Sequence, residues 1–186
     1  MASEDDVKNA ISLILKHINP NCNDEVLKNT PSRVLKSFDE LFCGYKADIN
    51  KEIGKSFENS FGYKDIVLID NIKFSSTCEH HFLPIRGVVH VAYIPNERII
   101  GLSKICRIVE IFSRRLQLQE RLTNEIGNAL NDIISPLGVA IMISAEHDCM
   151  CSRGVKKIGS SAKTFFYNGI FNHDNNLKQR FFDVIT

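Results

Sequence analysis

Residues 66–94 read IVLIDNIKFSSTCEHHFLPIRGVVHVAYI, and this stretch decides the fold because two β-rich runs flank a cluster of cysteine and histidine. The first run covers residues 66–74. The second covers residues 87–94, and within it the chain from Val89 to Tyr93 alternates between two faces. A period of two residues is typical of a strand with one buried face. We therefore predict two β-strands with the polar cluster between them.

Two helices and two further strands are predicted after this stretch. Apolar residues recur at helical spacing from Ile105 to Leu116, and again from Leu118 to Ile133. The remaining segments predict a strand over residues 139–145, a strand near residues 160–167 and a short helix from about residue 174. The order β-β-α-α-β-β predicts an α+β fold, in which an antiparallel four-stranded sheet carries two helices on one face.

The first third of the chain has a helical pattern. An apolar stripe from Val7 to Ile18 follows three acidic residues that suit a helix N-terminus, and the Asn19–Pro20 pair predicts the end of that helix. A second helix is predicted to begin with Thr30 as its N-cap and Pro31 at its first position.

The domain division follows from a change in pattern. Residues 45–62 show no strong period, and we interpret them as a linker. We therefore expect an N-terminal helical region over residues 1–60 and a domain that contains the sheet over residues 61–186. A length of 186 residues fits one domain with such an appendage.

Composition excludes several classes of function. The chain is 44% hydrophobic and 24% charged, as expected for an ordinary globular protein. A formal net charge of +1 creates no broad field that would gather nucleic acid or an acidic membrane. The acidic start MASEDDVKNA differs from a secretion signal, and the apolar runs are too short to span a membrane. The six cysteines are then expected to be reduced in the cytoplasm, where they serve as metal ligands or reactive groups.

The cysteine and histidine cluster is a candidate metal site. Cys78 and His81 have a spacing that lets both side chains face one ion, and Cys149 offers a third ligand after another predicted strand. Three protein ligands with one open position are typical of catalytic zinc. Buried thiols with hydrogen-bonded histidines are the alternative. Cys151, two residues further on, could be a fourth ligand of a structural site.

A group of basic and hydroxyl side chains opens the first predicted helix after the strands. Ser103, Lys104 and Arg107 suit a phosphate chain, because a helix N-terminus adds free N–H groups and the positive end of the dipole. The alternative is an ordinary serine N-cap with two solvated basic residues. Arg153 adds positive charge after the second cluster. Glu120 could accept two parallel hydrogen bonds from a guanine edge, although glutamate also suits a helix start without any ligand.

Several motifs together resemble the GTP cyclohydrolase I family. In chain order they are TPSRV at residues 30–34, SSTCEHHFLPIRG at 75–87, AYIP at 92–95, IIGLSKICRIVEIFSRRLQLQERLT at 99–123 and CMCSRGV at 149–155. The match covers roughly residues 28–184, and the sequence CEHH, GLSK, QERLT in this order is specific. The resemblance implies the tunnelling fold (T-fold) and makes residues 61–186 a zinc-binding catalytic domain.

The resemblance also implies roles for individual residues. The implied zinc ligands are Cys78, His81 and Cys149. The implied catalytic residues are His80, His147 and Ser103. The residues implied to bind the triphosphate and ribose are Ser103, Lys104, Arg107 and Arg153. The purine and sugar pocket is implied to contain Gln119 and Glu120, with Glu120 recognising guanine.

The implied activity is GTP cyclohydrolase I, a Zn²⁺-dependent hydrolase of one-carbon metabolism and the first step of tetrahydrofolate and pterin biosynthesis. GTP would be opened at C8 of its guanine ring and would release formate. An Amadori-type rearrangement and ring closure would then give 7,8-dihydroneopterin triphosphate. Our hypothesis is that His147 protonates N7, since histidine exchanges protons near neutral pH. Ser103 would carry protons near the sugar, and His80 would be a second acid–base or orienting group.

The family resemblance implies a homodecamer built from two pentamers, with active sites between subunits. An open antiparallel sheet also has exposed edges, and closing several sheets into a barrel removes them. Two other functions stay open: another T-fold enzyme acting on a pterin or a deazapurine, and a non-catalytic zinc-binding or ligand-binding module. A zinc deaminase is disfavoured, because the chain lacks His-x-Glu followed by Pro-Cys-x-x-Cys.

Overall fold

The computed structural model describes residues 2–185, and its contacts divide the chain into two compact units between Cys43 and Gly44. The predicted boundary after residue 60 lies further along the chain. In the first unit, α1 is Glu4–Ile18. It begins with a capping box, in which the Ser3 hydroxyl accepts from the Asp6 N–H and the Asp6 carboxylate accepts from the Ser3 N–H. The predicted helix end at Ile18 is confirmed.

The second helix, α2, is Asp24–Leu41 and begins earlier than predicted. The Asn23 side chain is its N-cap and accepts a hydrogen bond of 2.9 Å from the N–H of Val26. The prediction that Thr30 caps this helix is wrong, because Thr30 and Pro31 both lie inside it. The helix therefore continues through Pro31, although proline cannot donate the usual backbone hydrogen bond.

The larger unit begins with short elements in the segment that we interpreted as a linker. A 3-10 turn at Cys43–Tyr45 leads into it, followed by α3 at Ile49–Ile53 and β1 at Phe57–Glu58. Asp48 caps α3 by accepting hydrogen bonds from the next turn. Ile53 lies in the core of the larger unit, so the linker interpretation is wrong.

The predicted antiparallel sheet is confirmed. Its long strands are β2 at Val67–Cys78, β3 at Pro84–Ile94, β6 at Gly138–His147 and β7 at Ser161–Gly169. Of the short strands, β5 at Leu116–Gln117 runs parallel to the end of β2, whereas β4 at Arg98–Ile99 pairs with β1 in a separate two-stranded sheet. Within residues 2–185 the main sheet has the order β5-β2-β3-β6-β7.

The two predicted helices, α4 at Leu102–Ser113 and α5 at Gln119–Ile134, cover one face of this sheet. Their amphipathic stripes and the inward residues of the strands form one aliphatic core. Its fully buried members include Val89, Val91, Ile105, Ile108, Ile126, Leu130 and Ile141. Burial of such residues is the main source of stability for a domain of this size.

The opposite face of the sheet has a smaller core near one end. After the short helix α6 at Asp148–Cys151 and strand β7, a 3-10 turn at Ile170–Asn172 leads into α7 at Asn175–Ile185. Phe171 and Phe181 pack there against small and aliphatic residues of β3 and β6. Among the described helices, none is both long and apolar enough to cross a membrane.

The sheet has two ends that matter for function. At one end Ile85 pairs with His147, and Cys78 closes β2; we call this the cysteine end. At the other end Ile94 pairs with Gly138, and α4 begins a few residues later; we call this the α4-start end. The 11 residues of β3 separate the two ends by roughly 33 Å.

Candidate metal centre and substrate site

Cys78, His81 and Cys149 come together at the cysteine end of the sheet. Their candidate ligand atoms all lie within 4.8 Å of one another. Cys78 is the last residue of β2 and is buried, His81 lies in the following turn, and Cys149 lies in α6 directly after β6. The antiparallel pairing of β3 with both β2 and β6 places these segments side by side.

A tight turn brings His81 back towards Cys78. The Cys78 carbonyl accepts a hydrogen bond from the Phe82 N–H at 2.9 Å, and the Cys78 N–H donates to the Leu83 carbonyl at 2.8 Å. Phe82 has a φ of +55°, a left-handed conformation that reverses the chain. As a result, His81 Nδ1 lies 3.6 Å from Cys78 Sγ.

The donor set fits a zinc ion. Zinc prefers thiolate and imidazole ligands, and the group consists of two thiols and one imidazole. Burial raises the pKa of the Cys149 thiol, and the neighbouring Cys78 thiol raises it further, because two thiolates repel each other. A divalent cation between them would offset both effects.

Cys151 is not part of this group in the described region. It lies two residues after Cys149 in α6, and helix positions i and i+2 do not face each other. Its Sγ lies 3.4 Å from the Lys157 carbonyl oxygen. Asp148, another residue of this segment, accepts a hydrogen bond of 3.0 Å from Arg86 Nη1. The Asp148 carboxylate is therefore paired with a guanidinium.

His147 is held beside this group by Gln119. His147 Nε2 lies 2.7 Å from Gln119 Oε1. The amide nitrogen of Gln119 is already directed at three protein acceptors, the Ile143 and Ala162 carbonyls and the Thr164 hydroxyl. Gln119 Oε1 is therefore the acceptor, and His147 Nε2 carries the proton. Burial lowers the pKa of His147, and the Glu120 carboxylate opposes that shift.

Other predicted site residues lie at the same end. The rings of His80 and His81 meet edge to face with centroids 6.1 Å apart. Arg153 Nη2 lies 2.5 Å from His81 Nε2, so its guanidinium reaches the candidate metal ligand. The predicted residues that one chain gathers at the cysteine end are Cys78, His80, His81, Gln119, Glu120, His147, Cys149 and Arg153.

Ser103, Lys104 and Arg107 lie elsewhere, in the first half of α4 at the α4-start end. Lys104 Nζ donates to the Lys55 carbonyl at 2.5 Å, and Arg107 Nη1 donates to the Glu52 carbonyl at 3.2 Å. The structure therefore anchors both cations on the segment around α3. It does not bring these three residues to the candidate metal centre of the same chain.

The alternative interpretation of Ser103 as an N-cap is wrong. The N-cap of α4 is Gly101, and within residues 2–185 no side chain caps that helix end. Ser103 is instead an exposed residue of the first turn. The first N–H groups of α4 are thus left without a side-chain acceptor, which suits an anion.

A group of residues beside the turn Cys78–His81 was not predicted from the sequence. Arg121 Nη2 donates to the Glu79 carboxylate, and Arg121 Nε donates to Gln117 Oε1 at 3.0 Å. Glu79 lies within the CEHH motif and Arg121 within QERLT, next to predicted site residues. That position in the motifs is the sequence signal by which the two residues could have been predicted. The pKa of the Glu79 carboxyl is lowered, chiefly by the hydrogen bond from Arg121.

Comparison with known proteins gives the family. The family model described as GTP cyclohydrolase I matches residues 7–186. GTP cyclohydrolase 1 of Allorhizobium ampelinum is 44% identical over 183 residues, covering 98% of this chain and 91% of the relative. GTP cyclohydrolase 1 of Rickettsia typhi is 42% identical over 184 residues, covering 99% of this chain and 97% of the relative.

A solved structure, archaeosine synthase QueF-Like in the apo form, is also similar to this chain. It is 17% identical with a TM-score of 0.47, and the match covers 56% of this chain and 93% of that one. The family match and the two curated relatives each extend over nearly the whole sequence. On that ground, the chain belongs to the GTP cyclohydrolase I family.

Proposed function

We propose that this chain catalyses the GTP cyclohydrolase I reaction, in which water opens the imidazole ring of GTP at C8 and formate is released. The remaining intermediate rearranges and closes to 7,8-dihydroneopterin triphosphate, the first step of a tetrahydrofolate or pterin pathway. The observation that carries the proposal is the meeting of Cys78, His81 and Cys149 within 4.8 Å, with His147 close by. Family membership supports the same activity.

Cys78, His81 and Cys149 are the residues that would hold Zn²⁺. When bound, zinc supplies a Lewis acid that lowers the pKa of water from about 15.7 to about 7. Both thiols must be reduced to act as ligands. The six cysteines are unpaired across the described residues, so the two thiols are available as ligands. The cytoplasm, where thiols stay reduced, is the location that we propose.

His147 would protonate the purine at N7. Because Gln119 accepts the proton on Nε2, Nδ1 is the ring nitrogen left to exchange a proton with substrate. Protonation of N7 makes C8 a better electrophile, so the proton transfer and the addition of water assist each other. Burial keeps the imidazole neutral at rest, so Nδ1 first accepts the proton that the attacking water releases, and the resulting imidazolium then donates it to N7.

Glu120 would recognise guanine. Its side chain is exposed at the start of α5, one residue after the Gln119 that holds His147. A carboxylate accepts the paired N1–H and 2-amino donors of guanine, a pattern that adenine lacks. His80 is exposed beside His81 and would act as a second acid–base or orienting group.

The triphosphate residues would come from a second copy of the chain. Ser103, Lys104 and Arg107 lie in the first half of α4, towards the opposite end of the sheet from His147. Lys104 and Arg107 are bonded there to carbonyls of the segment around α3, and none of the three reaches the candidate metal centre of its own chain. A complete site therefore needs the cysteine end of one chain and the α4 start of another, with Ser103 supplied beside the sugar.

Open sheet edges support the same assembly. Pairing with β5 covers only Thr77 and Cys78 of β2, and within residues 2–185 the outer edge of β7 pairs with no strand. Edge strands pair readily with other chains, and a ring of sheets closed into a barrel leaves no free edge. We propose a homo-oligomer, with two pentamers in a decamer as the family resemblance implies.

The proposed activity is tested by incubating the zinc-loaded protein with GTP. The products are oxidised and scanned for pterin fluorescence, and formate is measured in parallel. We expect both signals with GTP, and neither from the Cys149→Ser variant, which loses a metal ligand. A folded, zinc-loaded wild-type protein that yields neither signal would refute the proposed function.

A further inference from the structure

Glu79 follows the candidate metal ligand Cys78 directly, yet its carboxylate is not part of the candidate metal group. Its carboxylate accepts a hydrogen bond from Arg121 Nη2, and the same nitrogen also donates to the Leu116 carbonyl at 2.8 Å. The Glu79 N–H donates to the Gln117 carbonyl at 3.0 Å. Both the backbone and the side chain of Glu79 are thus fixed to the segment of β5 and α5.

Gln117 fixes Arg121 in turn. It is 1% exposed, and its Oε1 accepts from Arg121 Nε at 3.0 Å. Its amide nitrogen donates to the Phe112 carbonyl at 2.9 Å and to the Glu125 carboxylate at 2.6 Å. Both polar atoms of this buried amide therefore have partners, and its oxygen holds Arg121 Nε while Nη2 reaches Glu79.

The position of β5 explains why these groups act on the metal turn. β5 pairs in parallel with the last residues of β2, so Gln117 lies beside Cys78. Cys78 and the turn up to Phe82 are connected to the rest of the chain through β2, β3, this contact and the contact of Arg153 with His81. A displacement of Glu79 would move Cys78 and His81 relative to Cys149, which is held on β6 and α6.

We propose that Arg121, oriented by Gln117, is a positioning residue that holds the turn Cys78–His81 in the geometry required for metal binding. The inference rests on the proposed metal site and deepens it. Groups that hydrogen-bond metal ligands typically change metal affinity about 10–100-fold when removed, and Arg121 acts one contact further out, through Glu79, so we expect the lower end of that range. The ion pair itself is 40% and 39% exposed, so its contribution to folding is small and its effect falls on the position of the turn.

Arg121 also fixes where the negative charge of Glu79 lies. Its guanidinium neutralises Glu79 and holds the carboxylate on the segment of β5 and α5. Removal of this positive charge would by itself favour a bound cation, so a loss of zinc affinity in Arg121→Met reports the position of the turn and not its charge.

The test measures zinc affinity, by competition with a chromophoric chelator, for wild type and for Arg121→Met. We expect zinc binding to weaken about tenfold. The absorption spectrum of the Co²⁺-substituted protein should also change, since its thiolate bands report ligand geometry. Arg114→Met is the matched control, because Arg114 pairs with Glu110 at the end of α4, and it should bind zinc like the wild type. Equal affinity of Arg121→Met and wild type would overturn the inference.

A double-mutant cycle tests the route through Glu79. Glu79→Ala should weaken zinc binding too, and the double variant Glu79→Ala/Arg121→Met should be no weaker than either single variant. Additive losses would show independent roles and overturn the inference. Arg121→Lys keeps the positive charge but lacks the planar guanidinium with its several N–H donors, so we expect its zinc affinity to lie between those of Arg121→Met and wild type.

Folding is monitored by circular dichroism and urea unfolding of the metal-free proteins, so that a loss of affinity is not a loss of fold. If Arg121→Met does not fold, the comparison of Glu79→Ala and Arg121→Lys with wild type decides the matter by the same criteria. The proposed function and this inference fail differently. If the wild-type protein binds no zinc, the metal site itself is refuted. If wild type and Arg121→Met bind zinc equally well, only the role of Arg121 is refuted.

Discussion

At the residue scale, the site depends on which atoms are already occupied by protein partners. Gln119 and His147 are both predicted as site residues from the sequence, but the hydrogen bond between them is not. A sequence pattern identifies residue types that suit the chemistry, while the direct hydrogen bond between the two residues depends on α5 crossing β6. Three-dimensional structure was also needed to see that Arg153 contacts His81.

His147→Ala should retain zinc and lose ring opening. The side chain lies beside the candidate ligands without being one of them, and removal of a positioned acid–base group typically lowers a rate about 10²–10⁴-fold. Metal content and formate release are measured on the same preparation. His173→Ala, at an exposed position before α7, is the control, and a His147→Ala variant that releases formate at the normal rate would contradict the assignment.

His90 should make the folded state less stable at mildly acidic pH. It is 3% exposed in β3, its Nδ1 accepts from the Asn71 N–H at 3.4 Å, and burial lowers its pKa against the opposing charge of Asp70. The folded state therefore favours neutral His90, while the unfolded state binds a proton below about pH 6.5. The free energy of unfolding should fall as the pH drops from about 6.5 towards the lowered folded-state pKa.

This dependence is measured by urea unfolding of the metal-free protein between about pH 5 and pH 7.5. The His90→Gln variant should show a shallower pH dependence than wild type, because it has no imidazole to protonate on unfolding. His17→Gln, on the exposed side of α1, provides a histidine control. A His90→Gln profile parallel to that of wild type would contradict the expected role of burial.

At the element scale, the sequence predicts periodic segments well and short ones poorly. The strands and the helices α4 and α5 carry enough apolar periods to be recognised, and their positions are confirmed. The short elements α3 and β1 have too few residues to show a period, and their packing comes from contacts distant in sequence. The start of α2 was missed because Thr30–Pro31 is a common helix start, whereas the Asn23 cap decides it here.

Gly127 shows how closely α5 packs on the sheet. A Cβ atom at this position would lie 2.3 Å from the Phe166 ring, far inside contact distance. We expect Gly127→Ala to lower the free energy of unfolding by about 1–2 kcal/mol, because displacing the ring costs more than the ~1 kcal/mol that alanine adds to helix stability. Urea unfolding checks this, with the exposed Asn124→Ala as control, and a Gly127→Ala variant more stable than wild type would contradict it.

At the scale of the whole molecule, the predicted site divides into two parts. The metal residues and His147 gather at the cysteine end, while Ser103, Lys104 and Arg107 lie at the α4-start end. The family motifs predict which residues belong to the site, but they contain no information on which chain contributes each residue. The two groups are separate because α4 begins at the α4-start end and leads towards β5, which lies beside Cys78.

Two inactive variants should therefore restore activity when they share one assembly. Cys149→Ser disables the metal end and Lys104→Ala disables the phosphate end, so a mixed oligomer contains some sites with both intact halves. The two variants are co-expressed with different affinity tags, and assemblies that carry both tags are assayed for formate. Mixed assemblies as inactive as their parents would show that each site is built from one chain.

The orientation of α4 has a further consequence for how the enzyme responds to dilution. Each chain would contribute its cysteine end to one site and its α4 start to another. An isolated chain would therefore contain half of two different sites and no complete site. Catalytic capacity would then scale with the number of contacts between neighbours. Below the concentration at which the ring dissociates, turnover per chain would decline with protein concentration, although every polypeptide stayed folded.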